Sequence, residues 1–407
     1  MAAERRYLPL QSARYLERTM KKYYLLTRYQ KLWGRPLGRP LAWITSGAPV
    51  EILRAFGVDV VYPENYGALC GARRVAPELC KVAEAAGYSP DLCSYARSSL
   101  GAVLRPDLAP MGGLPSPDLL VVCNNICGTV LKWYEALAAH FQVPLFILDT
   151  PFVAEELDDA AVEYVLEQVR SLIAGLERLT GRRLRSAELS RRFELSNEAV
   201  RLWGEIRSLC HHRPSPLNVP DLFVHMAPIV VLRGTPAAVA YYRRLYDEVR
   251  ERVRQGQAAV AGERYRLLWD NIAIWYRIYN FYKEFSARGA CFVTDTYTGG
   301  WAAELAPGDP LESLARTYTG IFLNRGVDFR VRQMVDLIRD YQVDGFVMHS
   351  NRSCKPYSLI QEEIRRRVVN KTGVPGLIIE ADMADSRVYA EEPVRNRVQA
   401  FLENLGG

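Results

Sequence analysis

Three cysteines stand far apart in the chain, each inside a short segment of unusual density. They are Cys93 in Asp-Leu-Cys-Ser-Tyr-Ala-Arg, Cys127 in Cys-Asn-Asn-Ile-Cys-Gly-Thr-Val, and Cys354 in Asn-Arg-Ser-Cys-Lys-Pro. Each follows an apolar run and opens a turn or helix, the place where α/β folds put ligands. Three thiolates around a cubane iron–sulfur cluster leave one iron without a protein ligand. An open iron is a place where a substrate can bind and receive an electron. Cys127 begins the helix that carries Lys132 and Trp133. A helix N-terminus is expected to lower its thiol pKa, which suits ligation. Cys123 is the competing ligand, placed at the end of the preceding strand. The pair is not Cys-x-x-Cys, so neither a zinc ribbon nor a thioredoxin-type site is indicated.

Polar candidates gather at the same kind of position. Ser46 lies in the turn Ser-Gly-Ala-Pro after the first strand, and Glu64 in Tyr-Pro-Glu-Asn after the second. Each has two readings: a ligand-facing group, or a helix cap and a solvated carboxylate respectively. His349, Ser350, Asn351 and Arg352 crowd the loop before Cys354 with donors. Other motifs are missing. There is no Gly-rich loop ending in Gly-Lys-Ser/Thr and no Gly-x-Gly-x-x-Gly after the first strand. The chain is therefore not expected to hydrolyse ATP or to hold a dinucleotide in the usual way. Five histidines and no His-Glu-x-x-His leave little room for a zinc hydrolase. His211 and His212, after Cys210, read as a surface helix end.

The elements that must position these residues follow a strand-then-helix rhythm. Segment 41–45, segment 58–62, the pure apolar Leu119–Cys123 and segment 144–148 read as strands, with helices over 49–56, 68–86 and 129–141. From about 155 to 256 the pattern is nearly all helical, over 161–179, 186–210 and 236–254. The rhythm then returns, with strands at 266–269, 290–293, 345–349 and 376–380. Helices are expected over 327–341, 358–369 and 394–405. Strands alternating with helices imply parallel sheets. The expected fold is α/β, with two Rossmann-like or flavodoxin-like parallel-sheet domains and a helical insertion. The divisions are an N-terminal helical segment (1–38), a first α/β domain (39–154), a helical segment (155–262) and a second α/β domain (263–407).

The length of 407 residues allows several cores, and 49% hydrophobic with 24% charged residues is the balance of a globular chain. No apolar stretch reaches the roughly 18 residues needed to span a bilayer, and residues 1–7 do not read as a signal peptide. The expected compartment is the cytoplasm. There eight cysteines do not imply disulfides; Cys80, Cys210 and Cys291 read as inert core thiols. A net charge of +6 is compatible with an anionic small ligand such as a coenzyme A ester. No stretch combines dense Lys/Arg with stacking aromatics, so nucleic-acid binding is not expected.

At residues 93–97, 124–130 and 351–356 the chain resembles the family of 2-hydroxyacyl-CoA dehydratases and ATP-dependent benzoyl-CoA reductases. The segment 379–389, Ile-Glu-Ala-Asp-Met-Ala-Asp-Ser-Arg-Val-Tyr, and the segment 395–401 carry the match further. The resemblance runs from about residue 40 to the C-terminus and is nearest to the smaller cluster-bearing subunit of benzoyl-CoA reductase. Many dehydratases carry Asp directly after the second cysteine; Gly128 stands there in this chain and favours the reductase branch. The resemblance implies a [4Fe-4S] cluster between two α/β domains, held by Cys93, Cys127 and Cys354. It also implies an acyl-CoA substrate, a homologous cluster-bearing partner subunit, and a separate iron–sulfur ATPase as activator. That activator agrees with the missing nucleotide motif. The implied chemistry is one-electron reduction of the thioester to a ketyl-like radical, followed by loss of a hydroxyl or by ring reduction. In that frame Ser46 is the candidate donor to the developing anion, and Glu64 and His349 are the candidate proton-transfer groups. Two other readings stay open within the family: a double-cubane cluster drawing on Cys70, Cys80 and Cys123, and an electron-relay subunit whose partner alone binds substrate. Outside it stands a plain α/β binding protein with incidental thiols.

Overall fold

The computed structural model describes residues 9–32 and 39–406. Two four-stranded parallel sheets form its frame. The first contains β1 (Leu41–Ile44), β2 (Asp59–Val61), β3 (Leu119–Cys123) and β4 (Leu145–Leu148), in the order β2-β1-β3-β4. The second contains β5 (Tyr265–Asp270), β6 (Ala290–Asp295), β7 (Gly345–Asn351) and β8 (Gly376–Ala381), in the order β6-β5-β7-β8. The two sheets share one topology, the doubly wound order in which the chain reverses direction between the first and third strands. Every strand pairing is parallel. The expected α/β architecture with two parallel sheets is what the chain adopts.

The central strands show why. Leu119-Leu-Val-Val-Cys123 is an unbroken apolar run with all five residues buried, as a strand covered by helices on both faces requires. β5 and β7 are buried almost throughout, whereas the edge strands β4 and β8 are half-covered. Between β4 and β5 run three long helices, Asp159–Thr180, Ser186–Ser208 and Pro236–Arg254. They agree with the predicted helical stretch within three residues. Their apolar faces join the core through Trp203, Tyr241 and Tyr242, none of them exposed. The helix Ser186–Ser208 is also pinned to the loop after β6: Trp203 Nε1 donates to the Thr298 carbonyl at 3.0 Å, and Arg207 reaches Thr298 and the Asp295 carbonyl.

Three expectations are corrected. The single helix over 68–86 is two helices, Pro63–Ala72 and Ala76–Ala85. Arg74 between them is left-handed (φ 60°), and Pro77 cannot extend the first helix because it lacks the N–H that a helix interior bonds. The helix over 358–369 is a short turn, Lys355–Ser358, followed by Gln361–Thr372. The helix Ser94–Leu104, which carries the Cys93 turn into the structure, has no counterpart among the expected elements. The N-terminal helix covers Ser12–Leu32; residues 33–35 of its expected span, and the N-terminal residues 1–7, lie outside the described residues. Among the described residues no helix is long and apolar enough to cross a membrane.

Candidate active site at the facing sheet edges

The carboxyl ends of both sheets open onto one cavity of about 80 Å³. The first sheet sends Ser46 from β1, Glu64 from β2, and Ile126 with Cys127 from β3; Cys93 and Tyr95 come from the connection between β2 and β3. The second sends Ile272 from β5, Tyr297 and Trp301 from β6, Cys354 and Tyr357 from β7, and Met383 from β8. Ser46 and Cys127 flank the reversal point between β1 and β3, and Ile272 and Cys354 flank the matching point between β5 and β7. These are the two crevices in which doubly wound sheets bind ligands. A close backbone approach builds the first. A Cβ on Gly47 would stand 2.3 Å from Oδ1 of Asn125, so only glycine lets the β1 and β3 loops meet there. Asn125 fastens them, donating to the Gly47 carbonyl at 2.9 Å.

Cys93, Cys127 and Cys354 thus share one cavity wall, each half-buried. Cys93 caps the helix Ser94–Leu104 and Cys354 caps the turn Lys355–Ser358; Cys127 lies just before the helix Thr129–Phe141. Helix N-terminal amides point at every one of the sulfurs: those of Tyr95 and Ala96 at Cys93, Thr129 and Val130 at Cys127, and Tyr357 at Cys354. The expectation that the helix end lowers the Cys127 pKa is corrected. Burial raises it and outweighs the amides. Burial also lifts Cys354 to about 12 and Cys93 well above the usual thiol value, and the neighbouring thiols of the trio add to both. Such thiols stay protonated until a cation replaces the protons.

The other cysteines do not face this cavity. Cys123 is fully buried at the end of β3, and Cys70 and Cys80 are buried among helices of the first unit. Among the described residues, no three His, Cys, Asp or Glu side chains converge on a point that would hold a single metal ion. A cubane asks for a different arrangement, because each thiolate takes a different iron and the sulfurs must stand apart. Three separated thiols, amides directed at them, and buried cavity-lining donors without protein partners (Trp133 Nε1 and Tyr357 Oη) fit such a group.

Ser46 and Glu64 form a pair on the same wall. Ser46 donates both its amide (3.1 Å) and its hydroxyl (3.0 Å) to the Glu64 carboxylate. Burial nevertheless raises the Glu64 pKa to about 7, the serine donors only partly opposing it. His349 is not brought to the cavity. It is fully buried, with Nδ1 2.7 Å from the Ile272 carbonyl, and burial lowers its pKa. It supports the loop that carries Ile272. Sequence reasoning missed the aromatic walls: Tyr95, Trp133, Tyr297, Trp301 and Tyr357 lie in different elements, and only the fold assembles them.

An apolar passage leads outward. A cavity of about 240 Å³ shares Ser46, Glu64, Tyr95, Tyr297 and Trp301 with the first. It in turn shares Met20, Tyr24 and Leu69 with a cavity of about 500 Å³ that carries Arg73 and the Lys21–Glu17 ion pair.

Fold and site together define an α/β protein with a thiol-lined cavity between two doubly wound sheets. Residues 45–405 match the family described as 2-hydroxyglutaryl-CoA dehydratase, D-component, and the chain belongs to that family. It is 34% identical to the (R)-2-hydroxyisocaproyl-CoA dehydratase alpha subunit of Clostridioides difficile, over 90% of each chain. It is 32% identical to the lactoyl-CoA dehydratase alpha subunit of Anaerotignum propionicum, over 90% of this chain and 91% of the relative. A benzoyl-CoA reductase subunit of Thauera aromatica is 28% identical over 87% of this chain and 85% of its own.

Proposed function

We propose that this chain is the cluster-bearing subunit of a low-potential radical enzyme acting on acyl-CoA thioesters. The observation that carries the reading is the meeting of Cys93, Cys127 and Cys354 on one cavity, with the Ser46–Glu64 pair on its wall. The three cysteines would hold a [4Fe-4S] cluster, which supplies an electron at low potential and an iron free of protein ligands. Ser46, whose amide and hydroxyl hold the Glu64 carboxylate, can turn its hydroxyl to a developing oxyanion once Glu64 has taken up a proton. With its pKa near 7, Glu64 can hold or release a proton at neutral pH. The aromatic walls exclude water and suit an apolar acyl group; Arg73 at the cavity of about 500 Å³, beside the Lys21–Glu17 pair, suits a phosphate of coenzyme A.

Two reactions fit this reading: dehydration of a 2-hydroxyacyl-CoA, supported by dehydratase relatives at 34% and 32% identity, and dearomatising reduction of benzoyl-CoA, supported by a reductase relative at 28% identity and by Gly128 in the motif after Cys127. Both readings include a homologous partner subunit and an ATP-dependent iron–sulfur activator.

The test is iron and sulfide analysis of anaerobically purified protein, with EPR of the dithionite-reduced form. About four irons per chain with a cubane signal supports the reading. Roughly eight moves it to a double cubane, and none after reconstitution overturns it. Turnover of 2-hydroxyacyl-CoA and benzoyl-CoA esters with activator and partner then separates the two reactions.

A further inference from the structure

Two of the three cysteine turns are tied together by a single hydroxyl. Ser94, which follows Cys93, donates its backbone N–H to Oγ of Ser353, which precedes Cys354, at 3.1 Å. Ser353 donates in turn to Oδ2 of Asp382. The other carboxylate oxygen of Asp382 accepts the amides of Ala384 and Asp385 at 2.9 and 2.8 Å. Ser94, Ser353 and Asp382 are all buried. The tie crosses from the first sheet's unit to the second's, and an ion-pair ring lies beside it. Buried Arg97 holds the Leu92 carbonyl and pairs with Asp385 and Glu84, and Arg387 closes the ring onto the same two carboxylates.

We propose that Ser353 and Asp382 are positioning residues for the cluster site. They fix the spacing of Cys93 and Cys354 and turn the Ser94 N–H away from the Cys93 sulfur. The inference rests on the three-cysteine reading above. The position calls for a hydroxyl because one group must accept from an amide and donate to a carboxylate at once. Alanine does neither and leaves a buried N–H and a buried carboxylate oxygen unpartnered, which drives the turns apart. A released Ser94 N–H becomes a donor to the Cys93 sulfur. Such a bond favours the more negative, reduced cluster and raises its potential.

The experiment compares wild-type protein with Ser353→Ala, Ser353→Thr and Asp382→Asn, each full-length and reconstituted anaerobically with iron and sulfide. Release of iron to a chelator, the reduction potential and thermal melting are measured. Ser353→Ala is expected to release iron at least about tenfold faster, the scale on which outer partners of metal ligands act, with its potential shifted upward. Ser353→Thr, which keeps the hydroxyl, is expected to match wild type on both. Asp382→Asn keeps an oxygen for the two amides but turns an N–H toward Ser353, whose hydroxyl still accepts from Ser94 and loses its own acceptor; it should shift iron release in the same direction as Ser353→Ala, by less, even if the alanine variant folds poorly. Wild-type release and potential in both Ser353→Ala and Asp382→Asn overturn the proposal, as does failure of threonine to restore them. A wild-type chain that takes up no iron overturns the three-cysteine reading itself.

Discussion

The two sheets share a strand order, yet their matching strand ends are put to different uses. At the end of β2 stands Glu64, facing the cavity with its pKa pushed up to about 7. At the equivalent end of β6 stands Asp295, whose carboxylate is consumed by its own turn: it accepts from the Tyr297 amide and from both the amide and hydroxyl of Thr298. The end of β1 presents Ser46 to the cavity. The end of β5 presents Asn271, which is turned inward to hold the His349 carbonyl at 2.6 Å. After the third strand of each sheet comes a cysteine turn, Cys127 or Cys354. The first unit therefore carries two thiols and the polar pair, and the second carries one thiol and holds the rest still. Shared topology places groups at a crevice; whether a side chain is spent on its own turn decides which of them can do chemistry.

The largest test of that division removes thiols from either side. Cys127→Ala and Cys354→Ala should each lose iron and activity together, because a cluster held across two units needs both. Cys123→Ala, in the core beside them, should keep its iron and lose stability only, by about 1 kcal/mol for the small cavity it leaves. Iron analysis and melting of the three variants decide this. Full iron retention in Cys127→Ala would remove that residue from the ligand set. The next test exchanges the two acids. Glu64→Gln should lower kcat by about 10²–10⁴-fold, the range of a positioned proton-transfer group, without lowering the melting temperature. Asp295→Asn should do the reverse, weakening a buried hydrogen-bonded turn by about 1–3 kcal/mol while kcat stays within a few-fold. Equal effects of the two substitutions would mean the sheets are not divided as described.

The same pair differs in its dependence on pH. Burial raises Glu64 from its ordinary 4.5 to about 7 in the folded chain. The folded state thus binds the proton more tightly than the unfolded one. The corresponding stabilisation is full below about pH 4.5 and is lost as the pH rises to about 7. Subtracting the Glu64→Gln melting curve from that of wild type should isolate a stability difference that falls across this window and is flat above it. A difference that rises with pH would show that the Ser46 donors outweigh burial.

Much of this is legible in the sequence. The unbroken apolar runs at β3 and in β7 announce strands covered on both faces, and turn residues after each strand mark the edge where ligands bind. Cys127, Cys354, Ser46 and Glu64 stand out in this way, because position after a strand is a local signal; Cys93 follows a helix and a loop and stands out only by its own segment. His349 misleads for the same reason. It too follows the apolar part of a strand, but β7 runs two residues past it, to Asn351, and keeps its ring in the core. The rise in the Cys127 pKa and the aromatic walls depend on burial by the opposite unit, and no local pattern carries that. The Ser353 clasp joins residues 259 apart, and nothing in either segment alone reveals its partner.

Two glycines close the comparison at the smallest scale, since both border the Cys127 loop. Gly47→Ala would drive a methyl against the Asn125 side chain at 2.3 Å and against Ile126 at 3.0 Å. Overpacking of this kind costs about 1–3 kcal/mol, and it should also speed iron loss by shifting the loop that carries Cys127. Gly128 is different. Its backbone is ordinary helical (φ −69°), and nothing lies within 4 Å of a Cβ built there. Geometry does not demand glycine at this position, although glycine here is what supports the reductase reading. Gly128→Asp should therefore fold and hold iron as wild type does, gaining a few tenths of a kcal/mol at most from a better helix cap. Its informative readout is the ratio of turnover on 2-hydroxyacyl-CoA to turnover on benzoyl-CoA. A shift toward the hydroxyacyl ester would make the residue a determinant of the reaction. An unchanged ratio would leave it a neutral mark of descent, and the choice of reaction would then rest on the walls of the cavity.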